Sequence, residues 1–279
     1  MKNMTESQQL SIEQTLSQAK KAMKRGNTAI ALQFFNTVLQ HQPNHPVAKK
    51  GLRKLQQEVT HNSSVQVEIV DPSPDQINAL VNLYYTGQMV QTEQACRGLL
   101  QAYPQSLVVI NLLGASLQGQ GKLQEAVESF DKVIELKPDY AAAYSNRGAV
   151  LKELGQLEKA VENYNQAIQL QPDLAETYSN RGIALQELEQ LVEAVESFNK
   201  AIQLKPDYTE AYSNRGATLQ KLGQLDQAVE NYDKAIQIQP DYAEAYYNRG
   251  NVLKELGQLE EATTNYDRAI QLKPDYAET

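Results

Sequence analysis

Apolar positions along most of this chain recur three and four residues apart, and the whole pattern then repeats at a longer interval. In 141–174 the pattern consists of Tyr144, Gly148, Leu151, Ala160, Tyr164, Ala167 and Pro172. It returns as Tyr178, Gly182, Leu185, Ala194, Phe198, Ala201 and Pro206, and then as Tyr212, Gly216, Leu219, Ala228, Tyr232, Ala235 and Pro240. A further copy has Tyr246, Gly250, Leu253, Ala262, Tyr266, Ala269 and Pro274. Each set lies 34 residues after the one before. Spacings of three and four place these residues on one helical face, so each unit predicts two amphipathic helices. Large and small residues alternate because Gly148 and Ala160 let two helix backbones approach while Tyr144, Leu151 and Tyr164 fill the space around them. A helical hairpin repeated at a fixed period predicts a solenoid, in which neighbouring units bury one another's apolar faces.

Punctuation supports the hairpin. Gly121, Gly155, Gly223 and Gly257 fall where the first helix of a unit must turn into the second, a position where a left-handed backbone suits glycine. Glu189 stands there in one unit, which predicts a strained residue. Asp173 with Glu176, Asp207 with Glu210, and Asp241 with Glu244 have the spacing of a capping box at the start of the next unit.

Period and markers together resemble the tetratricopeptide repeat, whose aromatic-x-x-Leu-Gly-x-x-Tyr, Ala-x-x-x-Phe and Pro pattern is matched nearly position by position over most of the chain. The resemblance implies an all-α, right-handed superhelical solenoid of antiparallel helix pairs. There are two departures from the family pattern. Tyr takes the place of Trp throughout, which accounts for 15 Tyr and no Trp. The Leu before the glycine is Arg147, Arg181, Arg215 or Arg249, whose charged head must reach water or a carboxylate. Asp139, Asp173, Asp207 and Asp241, a few residues upstream, are the expected partners.

The units expected are 73–106, 107–140, 141–174, 175–208, 209–242 and 243–276. In the first of these, Ser73-Pro74-Asp75-Gln76 has the signals of a helix start, Leu80 replaces the glycine and Cys96 replaces the second-helix aromatic as a small core residue. The last unit is followed by the opening of another, which predicts truncation of a longer array. Residues 1–59 form a front module. Ala19 and Ala22 are expected in a first helix, Gly26 in the turn, Ala31, Phe35 and Val38 in a second, and Val47, Leu52, Leu55 and Val59 on the stripe of a third. Residues 60–72 break the register; His61 to Ser64 read as loop, and Val65, Val67 and Ile69 alternate as in an extended linker, with strand pairing to another chain as the alternative.

Charge divides the chain in two. Residues 1–71 hold nine Lys/Arg and five Asp/Glu, whereas the remainder holds 17 and 29. The basic residues Lys20, Lys21, Lys24, Arg25, Lys49, Lys50, Arg53 and Lys54 predict a solvated helix face, or contact with an anionic surface. An array this acidic argues against nucleic acid as its ligand. No apolar stretch predicts a membrane span or a signal peptide, so no membrane partner and a cytoplasmic location are expected.

Candidate chemistry is sparse. His41 and His45 are four apart, but Pro43 between them makes a turn, so no metal site is expected, and neither cofactor nor catalytic residue is indicated. The resemblance implies instead that the first helices line an inner groove for a peptide or protein ligand. Carried onto this chain, the groove positions include a column of Ser145-Asn146, Ser179-Asn180, Ser213-Asn214 and Tyr247-Asn248, with Asn251 beside the last. Asn side chains offer a donor and an acceptor each and can hold the backbone of an extended peptide; bonding between neighbouring helices is the alternative. Such a column is similar to the asparagine ladder in the repeat arm of O-GlcNAc-transferase-like proteins of bacteria. That implies the recognition arm of a larger enzyme such as a glycosyltransferase. A self-assembling adaptor without a catalytic domain is the other reading.

Overall fold

The computed structural model describes residues 6–24, 28–62 and 70–275, and among these the regular structure is helical, α-helices with a short 3₁₀ piece at 274–275. Two compact units form, 1–69 and 70–279. In the first, α1 (Glu6–Lys24), α2 (Thr28–His41) and α3 (Pro46–Asn62) enclose a core of Ala19, Ala22, Ala31, Phe35 and Val38, as the periodicity predicts. The third helix differs from expectation. Ala48 and Leu55 are buried while Val47 is exposed, because the ring of Phe35 settles on Gly51 and turns that face of the helix inward. The helix also continues to Asn62, three residues into the segment read as linker, so His61 and Asn62 are helical and not loop. Gly26, Arg25 and the alternating segment 65–69 lie outside the described residues, as do the side chains of Val59 and Lys24.

The second unit is the array. Its helix pairs are α4 (Pro74–Tyr85) with α5 (Met89–Ala102), α6 (Leu107–Gly119) with α7 (Leu123–Leu136), α8 (Ala141–Glu153) with α9 (Leu157–Leu170), and α10 (Ala175–Glu187) with α11 (Leu191–Leu204). Two more follow, α12 (Thr209–Lys221) with α13 (Leu225–Ile238) and α14 (Ala243–Glu255) with α15 (Leu259–Leu272). Each first helix packs on its own second helix, each second helix packs on the next first helix, and consecutive first helices also touch. That three-way contact puts the first helices side by side along one face.

Glycine and aromatic positions 16 residues apart are the centre of each hairpin. A Cβ on Gly148 would come within 2.8 Å of the Tyr164 ring, and one on Gly182 within 2.7 Å of Phe198. In the first pair the sizes are exchanged: Leu80 and Cys96 are both buried in one core cluster, the large residue standing where glycine stands elsewhere and the small one where the ring stands. Burial raises the Cys96 thiol to a pKa of about 12. Glu189 has φ 58, alone among the described non-glycine residues in the left-handed region.

Two polar expectations are corrected. The Ser73 capping box forms, with Ser73 N donating to Gln76 Oε1 at 3.0 Å and Gln76 N to Ser73 Oγ at 3.3 Å. The boxes at Asp173, Asp207 and Asp241 do not. The N-cap residues there are Leu174, Tyr208 and Tyr242, one position later, and none makes a side-chain cap bond. The arginines also find other partners than Asp139, Asp173, Asp207 and Asp241. Arg215 Nε donates to Asn231 Oδ1 at 2.7 Å and its Nη1 to Asn199 Oδ1 at 2.6 Å. Arg181 does the same with Ser197 and Asn165, and Arg147 with Asn163 and Asp131. Arg249 donates to Asn265 and lies 2.7 Å from Asp233. All these partners are 16 residues before or after the arginine, on the second helices of the preceding and the same unit. Each guanidinium thus clasps two second helices, and Arg147, Arg181 and Arg215 also lie over the rings of Tyr144, Tyr178 and Tyr212. Asp139 and its equivalents sit in the turn between units.

Candidate functional site

The face built from first helices carries the groove positions. Because these residues sit on α8, α10, α12 and α14 at the same register, the solenoid stacks them in columns. The Asn side chains are half-buried. Asn146 donates to Asn111 Oδ1 at 3.1 Å and is tied to the neighbouring helix. Among the described residues, the side-chain amides of Asn180, Asn214 and Asn248 have no hydrogen-bond partner in the protein. They are half-buried hydrogen-bonding groups on a helical face, open to water or to a ligand.

The serine column behaves differently. Ser179 and Ser213 are each 2% exposed. The phenol of Tyr208 interacts with Ser179 and that of Tyr242 with Ser213, so a ring from the start of the next helix covers each serine. Burial is the main cause that raises both phenol pKa values. Ser145 is instead in contact with Thr177, Oγ to Oγ1 2.8 Å. In the last unit Asn251 accepts from the Tyr266 hydroxyl at 3.0 Å, and Tyr247 packs on the same ring, centroids 5.9 Å apart. Where Ala149 and Ala217 take the place of Asn251, the buried hydroxyls of Tyr164 and Tyr232 have no partner.

Further along the same helices, Gln118 donates to Glu153, Gln220 to Glu255, and Lys152 lies 3.9 Å from Glu187, each 35 residues on. Lys221 stands where the others have Glu, and it pairs with Glu189 at 3.2 Å. Two residues that depart from the repeat thus meet one another.

Between α8 and α10 the groove deepens into an open depression of about 380 Å³, lined among others by Ala142, Ser145, Ala149, Leu174, Asn180 and Lys205. Sequence reasoning did not single it out. The signal was available, since Leu174 stands where Tyr140, Tyr208 and Tyr242 occur and Ala142 where Glu176, Glu210 and Glu244 occur.

Elsewhere, one carboxylate, that of Glu93, is turned inward. Its side chain is buried and bound by Lys122 at 2.6 Å, Gln120 at 2.9 Å and Arg97 at 2.9 Å. The hydrogen bond from Lys122, above all, holds its pKa down at about 2. His41 Nδ1 is 2.9 Å from the Thr37 carbonyl oxygen, and His45 Nδ1 accepts from Ala48 N at 3.4 Å. Among the described residues no group of three or more His, Cys, Asp or Glu is placed to hold a metal, and no helix is long and apolar enough to cross a membrane.

Known proteins share this architecture. The family pattern described as TPR repeat matches residues 119–155, 150–189, 184–223 and 219–257, and that described as tetratricopeptide repeat matches 243–276. No curated protein sequence matches the chain. Among solved structures it is similar to PilF of Pseudomonas aeruginosa, with TM-score 0.65 and 20% identity over 73% of this chain and 94% of that one. It is similar also to YrrB, a TPR protein with an unusual peptide-binding site, with TM-score 0.54 and 24% identity over 66% and 94% of the two chains. MamA from Desulfovibrio magneticus RS-1 is a third, with TM-score 0.56 and 16% identity over 61% and 96%. Identities this low speak to fold alone, whereas the repeat patterns together span more than half of the 279 residues. With its hairpins, its glycine-aromatic pairs and its period, the chain belongs to the tetratricopeptide repeat family.

Proposed function

We propose that the chain is a protein-interaction scaffold that holds an extended peptide along the face of its first helices. The observation that carries this reading is the column of unpartnered amides, Asn180, Asn214 and Asn248, beside an open depression. Amides at regular intervals bind what a peptide has at regular intervals, its backbone N–H and C=O groups, and so give affinity with little demand on sequence. YrrB, with its peptide-binding site, is a fold relative in keeping with this reading.

Peptides selected on the full chain from a random displayed library supply the probe. Changing Asn180, Asn214 and Asn248 to Ala is expected to weaken their binding about two- to twelvefold per position, one hydrogen bond each. Helicity should not change. Unaltered affinity in the triple variant would refute the role of the column. The finer reading, a recognition arm for a larger enzyme of the O-GlcNAc-transferase type, rests on the likeness of the column to that ladder. The mass of the protein in its native cells tests it: a product near 31.2 kDa rules the arm out.

A further inference from the structure

Three of the four residues that cap α8, α10, α12 and α14 are tyrosines, Tyr140, Tyr208 and Tyr242; the fourth is Leu174. At the last two junctions the ring lies between successive first helices. Tyr208 joins the apolar cluster of Tyr178, Ala201 and Ala211, with Lys205 Nζ 4.6 Å from its centroid, and its hydroxyl meets Ser179. Tyr242 donates to Glu244 at 3.2 Å and meets Ser213. The chain's own phenols therefore fill these two places in the groove.

The junction of α8 and α10 lacks this filling. Leu174 replaces the ring, and Ala142 replaces the glutamate found at its equivalents Glu176, Glu210 and Glu244. Ser145, the counterpart of Ser179 and Ser213, has no phenol to meet and bonds Thr177, a threonine where the other three first helices have Ala143, Ala211 and Ala245. The depression of about 380 Å³ is the space so opened, and Asn146 and Asn180 border it. At the two junctions that follow, the same fold places an aromatic side chain at the equivalent position, Tyr208 and Tyr242.

We propose that this depression is an anchor for one aromatic side chain of the bound peptide, tyrosine by preference. The inference rests on the peptide-holding reading and adds a position where sequence is recognised. A ring seated between Ala142, Ala149 and Leu174 leaves water on both faces, and the largest single gain in a peptide complex comes from such aromatic burial. Lys205, whose ammonium lies 4.6 Å from the centroid of Tyr208, also lines the depression, so its side chain is within reach of the docked ring. Asn180, at the border, is in place to take the backbone on either side of the anchor.

The test uses the full chain, labelled for NMR, and two blocked pentapeptides with glycine flanks, one centred on tyrosine and one on leucine. Saturable shifts of the amides of Ala142, Ala149 and Asn180 are expected with the tyrosine peptide, at an affinity about fivefold or more above that of the leucine peptide. The variant Leu174→Tyr supplies the ring internally; it should abolish this binding and melt no lower than the parent. Equal binding of the tyrosine peptide by Leu174→Tyr would overturn the anchor. Equal shifts of the Asn column by both peptides would overturn the anchor and leave the peptide groove standing, whereas no shifts with either would overturn both. An oligomer of the parent chain that Leu174→Tyr dissociates would identify a second copy as the occupant and also refute the proposal.

Discussion

Replacing Arg215 by Leu restores the residue that the repeat family uses before its glycine, and the structure nevertheless predicts a loss of stability. Arg215 donates to Asn231 at 2.7 Å and to Asn199 at 2.6 Å, across two second helices. Asn231 is 6% exposed, so without the guanidinium its Oδ1 stays buried and unpaired, although its amide still donates to the Gln227 carbonyl. Leaving one such acceptor unsatisfied costs about 1–3 kcal/mol, and the lost contact of Arg215 over Tyr212 adds about 0.5 kcal/mol. A leucine side chain recovers part of this, so a net loss of about 1–2 kcal/mol is expected, a fall in Tm of roughly 2–8 °C for an array of this size. Removing the orphaned acceptor as well, in Arg215→Leu/Asn231→Leu, should recover most of the loss, because an apolar pair replaces a polar one without leaving either half behind. The assay is urea unfolding followed by circular dichroism on the parent, the two single variants and the double. A single variant as stable as the parent, or a double variant whose loss is the sum of the singles, would refute the clasp.

Two further changes bear on the array. Glu189→Gly relieves a left-handed backbone at φ 58, for a gain of about 1 kcal/mol, and gives up an exposed pair with Lys221 that contributes about 0.2–1 kcal/mol; a thermal melt should show Tm unchanged or raised, and a lowered Tm contradicts the strain. Glu93 has its carboxylate pKa held at about 2 against an ordinary 4.5, so its contribution is complete above about pH 5 and is lost as pH falls toward 2, the unfolded chain taking up the proton first. Since Arg97 and Lys122 are half in solvent, that contribution is about 1 kcal/mol. Glu93→Gln should lower Tm at neutral pH and converge with the parent at low pH; an equal difference at both ends would show that the charge is not what matters.

The repeat register was legible because it is local. A helix face is set by residues three and four apart, and a hairpin by residues 16 apart, so Gly148 with Tyr164 and Gly182 with Phe198 identify their own partners within one unit. The left-handed turn at Glu189 and the Ser73 cap belong to the same class of short-range signals. The groove columns follow from the register too, yet the state of each side chain does not. Whether Asn146 is tied to Asn111 while Asn180 is free depends on a helix 35 residues away, and whether Ser179 is covered depends on a ring contributed by the following unit. Arg215 was assigned to a carboxylate close in sequence, whereas the solenoid brings it to second helices on either side, where the partners are amides. Leu174 shows the division best: as a letter it is a conservative apolar exchange, and only the stacking of α8 against α10 turns the missing ring into an open space. Period and sign of charge are properties of a linear chain, and they determined the hairpin, the array and its acidity. Which polar groups remain unpaired is a property of neighbours in space, and tertiary packing alone decided it.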